Sequence, residues 1–115
     1  MKLIIAALAL PAATAVHAAP PASFAQCSVC HTVTKGGLNG IGPNVYGVVG
    51  RKAGSVAGFN YSTALKKSGK VWTPAALDKW LTNPAAFVPG SRMPYAGMAD
   101  AKKRAEIIAY LKTLK

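Results

Sequence analysis

The chain has 115 residues, 51% of them hydrophobic, and 14 Lys and Arg against 3 Asp and Glu give it a formal charge of +11. That length bounds it to a single domain whose core alone is too small for comfortable stability. The charge calls for an anionic partner or surface, but no basic–aromatic interleaving or nucleic-acid module is present, so nucleic acid is excluded and an acidic protein or transient contact with a membrane surface is left.

Met1-Lys2 is a short positive region, Leu3 to Leu10 is apolar without a break, Pro11 closes the run, and Val16-His17-Ala18 offers small residues at a cleavage site. These are the three parts of a secretory signal peptide. The expectation is a leader over residues 1–18, cleaved after Ala18 or Ala19, and one exported domain over residues 19–115 in the periplasm. The apolar run is far short of the ~20 residues needed to span a bilayer. His17 leaves with the leader, which makes His31 the only histidine of the mature chain and removes paired histidine ligation.

Pro20-Pro21 opens a short helix predicted over Pro21 to Cys30, because proline is tolerated at the first helical position. Phe24 is its main apolar residue. At its end stands Cys27-Ser28-Val29-Cys30-His31, which holds both cysteines of the chain. C-x-x-C-H reads as a covalent c-type haem attachment site. Two thiols one helical turn apart can reach the two vinyl groups of a porphyrin, and the next residue can place an imidazole nitrogen on the iron. A redox dithiol is the competing reading of the same residues. A structural zinc site would want a second ligand pair, which is absent.

Thr32 to Asn44 carries Gly36, Gly37, Gly40, Gly42 and Pro43 and is predicted as loop. No phosphate-loop pattern is among these glycines. The Pro43 carbonyl is a candidate acceptor for the far nitrogen of His31, which would fix the ring and raise its donor strength. Val48-Val49 is one apolar turn, and residues 55–61 are a further loop. Ser62 can cap a helix to about Lys67. Thr73-Pro74 caps another, to about Thr82, with Leu77, Trp80 and Leu81 inward. Asn83-Pro84 stops it, and Ala85 to Ala99 reads as irregular, with Met93 in its middle. The last helix runs from near Asp100 to about Leu114, with Ile107, Tyr110, Leu111 and Leu114 as its apolar stripe. No segment alternates as a strand, so the fold class is all-α.

The pieces CSVCH at 27–31, KGGLNGIGPNVYGVVGRKAG at 35–54, GFNYSTA at 58–64, Trp72, NPAAFVPGSRMPYAG at 83–97 and IIAYLK at 107–112 occur in an order that resembles a class I cytochrome c of the small mitochondrial-like bacterial type. The resemblance covers essentially the whole mature length. It implies short helices wrapped around one covalent haem c, with Phe24 packing on Ile107, Tyr110 and Leu111. Cys27 and Cys30 carry over as the thioether residues and His31 as the proximal iron ligand. The segment around Met93 matches the family's ligand loop, so Met93 carries over as the second axial ligand, and Met98 as a packing residue. Ser91 matches a hydroxyl behind the haem. Arg51, Tyr61 and Trp72 match groups that bind the propionates. Trp80 and Leu65 depart from the family, replacing a tyrosine and a polar residue.

Iron ligated on both axial sides has no open position, which favours one-electron transfer over enzyme chemistry. The resemblance therefore implies a diffusible, monomeric, non-enzymatic carrier. It would shuttle between a cytochrome bc-type complex and a terminal oxidase or photosynthetic centre of the respiratory or photosynthetic chain. The alternatives are a dedicated donor or acceptor of a soluble periplasmic dehydrogenase, and a haem-based ligand sensor. Family members commonly rim the haem edge with lysines. Here Gln26, Leu38, Gly40, Ala85, Ala86, Ala99 and Asp100 take those places, and Arg92 is the remaining rim cation. The basic stretches are Arg51-Lys52, Lys66-Lys67-Lys70 and Lys102-Lys103-Arg104.

Overall fold

Four side chains set where the helices begin. In the computed structural model, which describes residues 2–9 and 18–115, Ser62 Oγ accepts from Leu65 N at 3.1 Å, opening α2 over Thr63–Lys67. Thr73 Oγ1 accepts from Ala76 N at 3.1 Å and opens α3, Pro74–Thr82. Asn83 Oδ1 accepts from Ala86 N at 3.2 Å and opens α4, Pro84–Phe87. Asp100 Oδ1 takes both Lys102 N and Lys103 N and opens α5, Ala101–Thr113. Each cap satisfies a backbone donor that the first turn leaves unpaired.

The first helix is shorter than the sequence suggests. A 3₁₀ turn over Ala22–Phe24 leads into α1, Ala25–Ser28, and residues 29–30 form a turn. Its N-terminus has no side-chain cap. At its far end the Cys27 carbonyl accepts both Cys30 N at 3.1 Å and His31 N at 3.0 Å, which tightens the chain out of α geometry. The other correction is α4. Asn-Pro stops α3 as expected, but the same pair also caps and starts a new helical turn. Residues 88–99 are irregular as predicted.

The core joins these pieces. Phe24 meets Tyr110 with ring centroids 4.9 Å apart, which locks the N-terminal turn onto α5. The α3 face carries Leu77, Trp80 and Leu81, and the α5 face Ile107, Ile108, Tyr110 and Leu111, all buried. Trp72 packs edge-on against Trp80 at 5.2 Å. Among the described residues the only extended pairing is an isolated antiparallel bridge between Lys52 and Val71. No helix among them is long and apolar enough to cross a membrane. The closing part of the leader reading, Leu10-Pro11 to His17, lies outside the described residues.

Candidate haem site

The helices leave a cavity of about 440 Å³ between α1, α3, α5 and the 91–95 segment. Its lining is mostly apolar: Phe24, Val48, Leu65, Trp80 and Ile107 are among its walls. A domain this small has room for so large an apolar void only if a ligand completes the core.

Cys27, Cys30 and His31 line one side. Both thiols are free. Burial, then the neighbouring Cys30, pushes the Cys27 thiol above its ordinary pKa. His31 Nδ1 lies 2.7 Å from the Pro43 carbonyl, as the sequence suggested. That contact assigns the proton to Nδ1 and leaves Nε2 as the coordinating nitrogen. Among the described residues Nε2 has no protein partner. Burial lowers the His31 pKa; the Pro43 bond opposes this and Arg51 adds to it, so the net effect favours the neutral ring that binds metal. Gly42 lies against this ring, and a Cβ there would sit 2.8 Å from Nδ1. The glycine's role had no signal in the sequence beyond a small residue beside Pro43.

Met93 lines the same cavity. Met98 does not; its backbone N–H donates to the Leu81 carbonyl at 2.8 Å and its side chain packs on the core. Arg51, Tyr61, Trp72 and Ser91, the other sequence candidates, all line the cavity. Arg51 Nη1 donates to the carbonyls of Asn44 and Tyr46 at 3.1 and 3.3 Å, which fixes its fork. Burial lowers the Arg51 pKa, and Tyr61 opposes the shift. Tyr61 is buried, and its oxygen accepts from Val56 N at 3.0 Å. Trp72 is buried as a residue and lines the cavity, and among the described residues its indole N–H makes no hydrogen bond.

Tyr95 did not stand out in the sequence, and Gln26 was read there only as an uncharged rim position. Tyr95 and Gln26 both line the cavity, and Gln26 Nε2 donates to the Tyr95 hydroxyl at 3.3 Å. Arg104 appeared as part of a basic surface run. Its side chain is 12% exposed, and Nε donates to Asp78 Oδ1 at 2.8 Å. Its place was readable: residues 104, 107, 108 and 111 share one helix face.

The donor set fits a covalently attached haem. Two free thiols flank a cavity, an oriented imidazole follows them, a thioether shares the pocket, and Arg51 and Trp72 bring N–H groups to its wall where two carboxylates would need donors. Zinc fits poorly: among the described residues no three His, Cys, Asp or Glu gather as a metal ion would need.

Comparison with known proteins agrees with the geometry. The family described as Cytochrome c matches residues 21–115. Cytochrome c of Trypanosoma brucei brucei is 56% identical over 81 residues, spanning 70% of this chain and 87% of that one. Cytochrome c2 of Rhodopila globiformis is 55% identical over 89 residues, spanning 77% and 83%. The solved structure of cytochrome cH from Methylobacterium extorquens superposes with a TM-score of 0.75 at 49% identity, covering 79% of this chain and 91% of that one.

Proposed function

The chain belongs to the cytochrome c family, haem-based electron carriers that are not enzymes and hold haem c through a cysteine pair, here Cys27 and Cys30, and from that premise we propose that His31 and Met93 hold the iron from its two sides. The bound haem supplies a one-electron iron couple. The residues around it keep that couple fixed. Pro43 orients the His31 ring. Arg51, Tyr61 and Trp72 take the two propionates, replacing water around a buried dianion. Ser91 places a hydroxyl behind the haem. With His31 and Met93 both holding the iron, the group would supply electron transfer and would offer no open position to oxygen or substrate.

The observation that carries this reading is that Met93 shares a cavity with His31 while Met98 stands outside it. Residues 1–18 act as an export leader, and residues 19–115 work in the periplasm. The carrier takes electrons from a membrane complex of the cytochrome bc type and passes them to a terminal oxidase or photosynthetic centre. An apolar leader far too short to span and an attachment motif completed outside the cytoplasm support this placement.

The test compares two variants of the holoprotein. Met93→Ala keeps the haem attached, loses the weak long-wavelength band of thioether-bound ferric haem, and binds carbon monoxide when reduced. Met98→Ala keeps the band and excludes carbon monoxide. The reverse pattern would assign the ligand to Met98.

A further inference from the structure

The segment that carries Met93 is secured at its ends and poorly secured between them. At the C-terminal end, Met98 N–H donates to Leu81 O at 2.8 Å, and Arg104 Nη1 donates to the Met98 and Ala99 carbonyls at 2.8 and 2.9 Å. At the other end, Ser91 N donates to the carbonyl of buried Val88 at 3.1 Å. Among the described residues, the only backbone bond within 92–97 is the local one from Tyr95 N to Met93 O. Side chains must therefore hold this stretch to the rest of the molecule.

Two do so, one on each side of Met93. Arg92 Nη2 donates to Asn60 O at 3.1 Å, tying the stretch to the segment before α2. Tyr95 accepts from Gln26 at 3.3 Å, tying it to α1 across 69 residues of sequence. Gln26 directly precedes Cys27, so this second tie runs to the element that anchors the haem. The amide is also oriented in advance, because Nε2 donates to Ser23 O at 3.2 Å. Gln26 and Tyr95 both line the cavity, and Gln26 is exposed, so their bond lies at its mouth.

We propose that the Gln26–Tyr95 pair is a latch that holds the Met93 segment closed over the haem, making both side chains positioning residues for the methionine ligand. This rests on the reading of Met93 as that ligand. When the latch opens, the stretch 92–97 is retained on that side by no other hydrogen bond, and Met93 leaves the iron more often. The pair thus sets how readily a small exogenous ligand replaces the thioether. Tyr95→Phe removes only the accepting oxygen, whereas Gln26→Ala removes the donor together with its local bond to Ser23 O.

The experiment adds imidazole to the oxidised holoprotein and follows loss of the long-wavelength thioether band in wild type, Tyr95→Phe, Gln26→Ala, the double variant and Met93→Ala. An exposed hydrogen bond of ordinary strength predicts imidazole binding roughly threefold to tenfold faster in each single variant. Because the same Gln26–Tyr95 bond is lost in all three, the double variant should be no faster than the faster single. Wild-type rates in both single variants, or effects that multiply in the double, overturn the latch while Met93→Ala still binds imidazole without delay. A Met93→Ala protein that keeps the band overturns the ligand assignment itself, and the latch with it.

Discussion

Gly42 and Pro43 hold the His31 ring from two directions. The Pro43 carbonyl accepts its Nδ1 proton at 2.7 Å, and the absence of a side chain at Gly42 lets the backbone lie against the ring. Gly42→Ala should push the imidazole aside, since its Cβ would fall 2.8 Å from Nδ1. Overpacking of this kind costs about 1–3 kcal/mol. The expected outcome is a lower denaturant midpoint for the holoprotein and a shifted reduced spectrum, whereas Gly36→Ala, facing open space but at a positive φ, should lower stability without altering the spectrum. Equal spectra in the two variants would show that the ring does not depend on Gly42. At this scale Cys27, Cys30, His31 and Met93 were each singled out in the sequence, and all four line one cavity. The residues that position them were less so. A glycine in a loop says only that small is tolerated, and the partner of Gln26 lies 69 residues away. Pro43 was readable because a backbone carbonyl follows from sequence position alone.

Among the elements, α2, α3 and α5 lie where the capping residues put them, since Ser62, Thr73 and Asp100 each precede a helical pattern without ambiguity. The turn α4 was missed because Asn83-Pro84 carries two meanings at once, a stop for α3 and a start for the next turn. The N-terminal helix was overextended because proline tolerance at a helix start is permissive and supplies no cap. Arg104 links these elements: from α5 it reaches Asp78 on α3 and the Met98 and Ala99 carbonyls that close the Met93 segment. The Asp78 side chain is 48% exposed, so its ion pair is screened and contributes about 0.5 kcal/mol. The two carbonyl bonds share one charged donor nitrogen, Nη1, and bonds of this class are stronger, contributing about 1.5–3 kcal/mol net of exchange with water. Arg104→Leu should therefore lower holoprotein stability by about 2–3 kcal/mol and weaken the thioether band, while Asp78→Asn changes both little. Denaturant unfolding followed at that band checks this. Equal losses in the two variants would place the stabilisation in the ion pair instead.

Taken whole, the molecule separates its charge from the edge of its cavity. Lys66, Lys67, Lys102 and Lys103 are exposed on α2 and α5, outside the cavity lining. The exposed residues at the mouth are Gln26, Ile41, Asn60, Arg92 and Pro94, of which Arg92 alone is charged. Ile41 is 74% exposed, and Val29 and Leu38, from the attachment motif and the following loop, are 75% and 87% exposed. The full-chain charge of +11 still orients the molecule in the field of an acidic partner. Contact at the mouth is then made mostly by uncharged groups. Salt screens the long-range steering and leaves apolar contact nearly untouched. Raising ionic strength should slow encounter, with a shallower slope than for a relative whose haem edge is rimmed by lysines, measured with the same partner. Arg92→Ala should lower the second-order rate of electron transfer more than Lys103→Ala, because Arg92 sits at the mouth and is also bonded to Asn60. Arg92 lies beside Met93, so its effect is read together with imidazole binding, and a rate change without faster imidazole entry isolates docking from loop opening. A slope as steep as the relative's, with Lys103 mattering more, would place docking on the basic α5 surface, because charge remote from the mouth governs the rate only if the partner sits upon it.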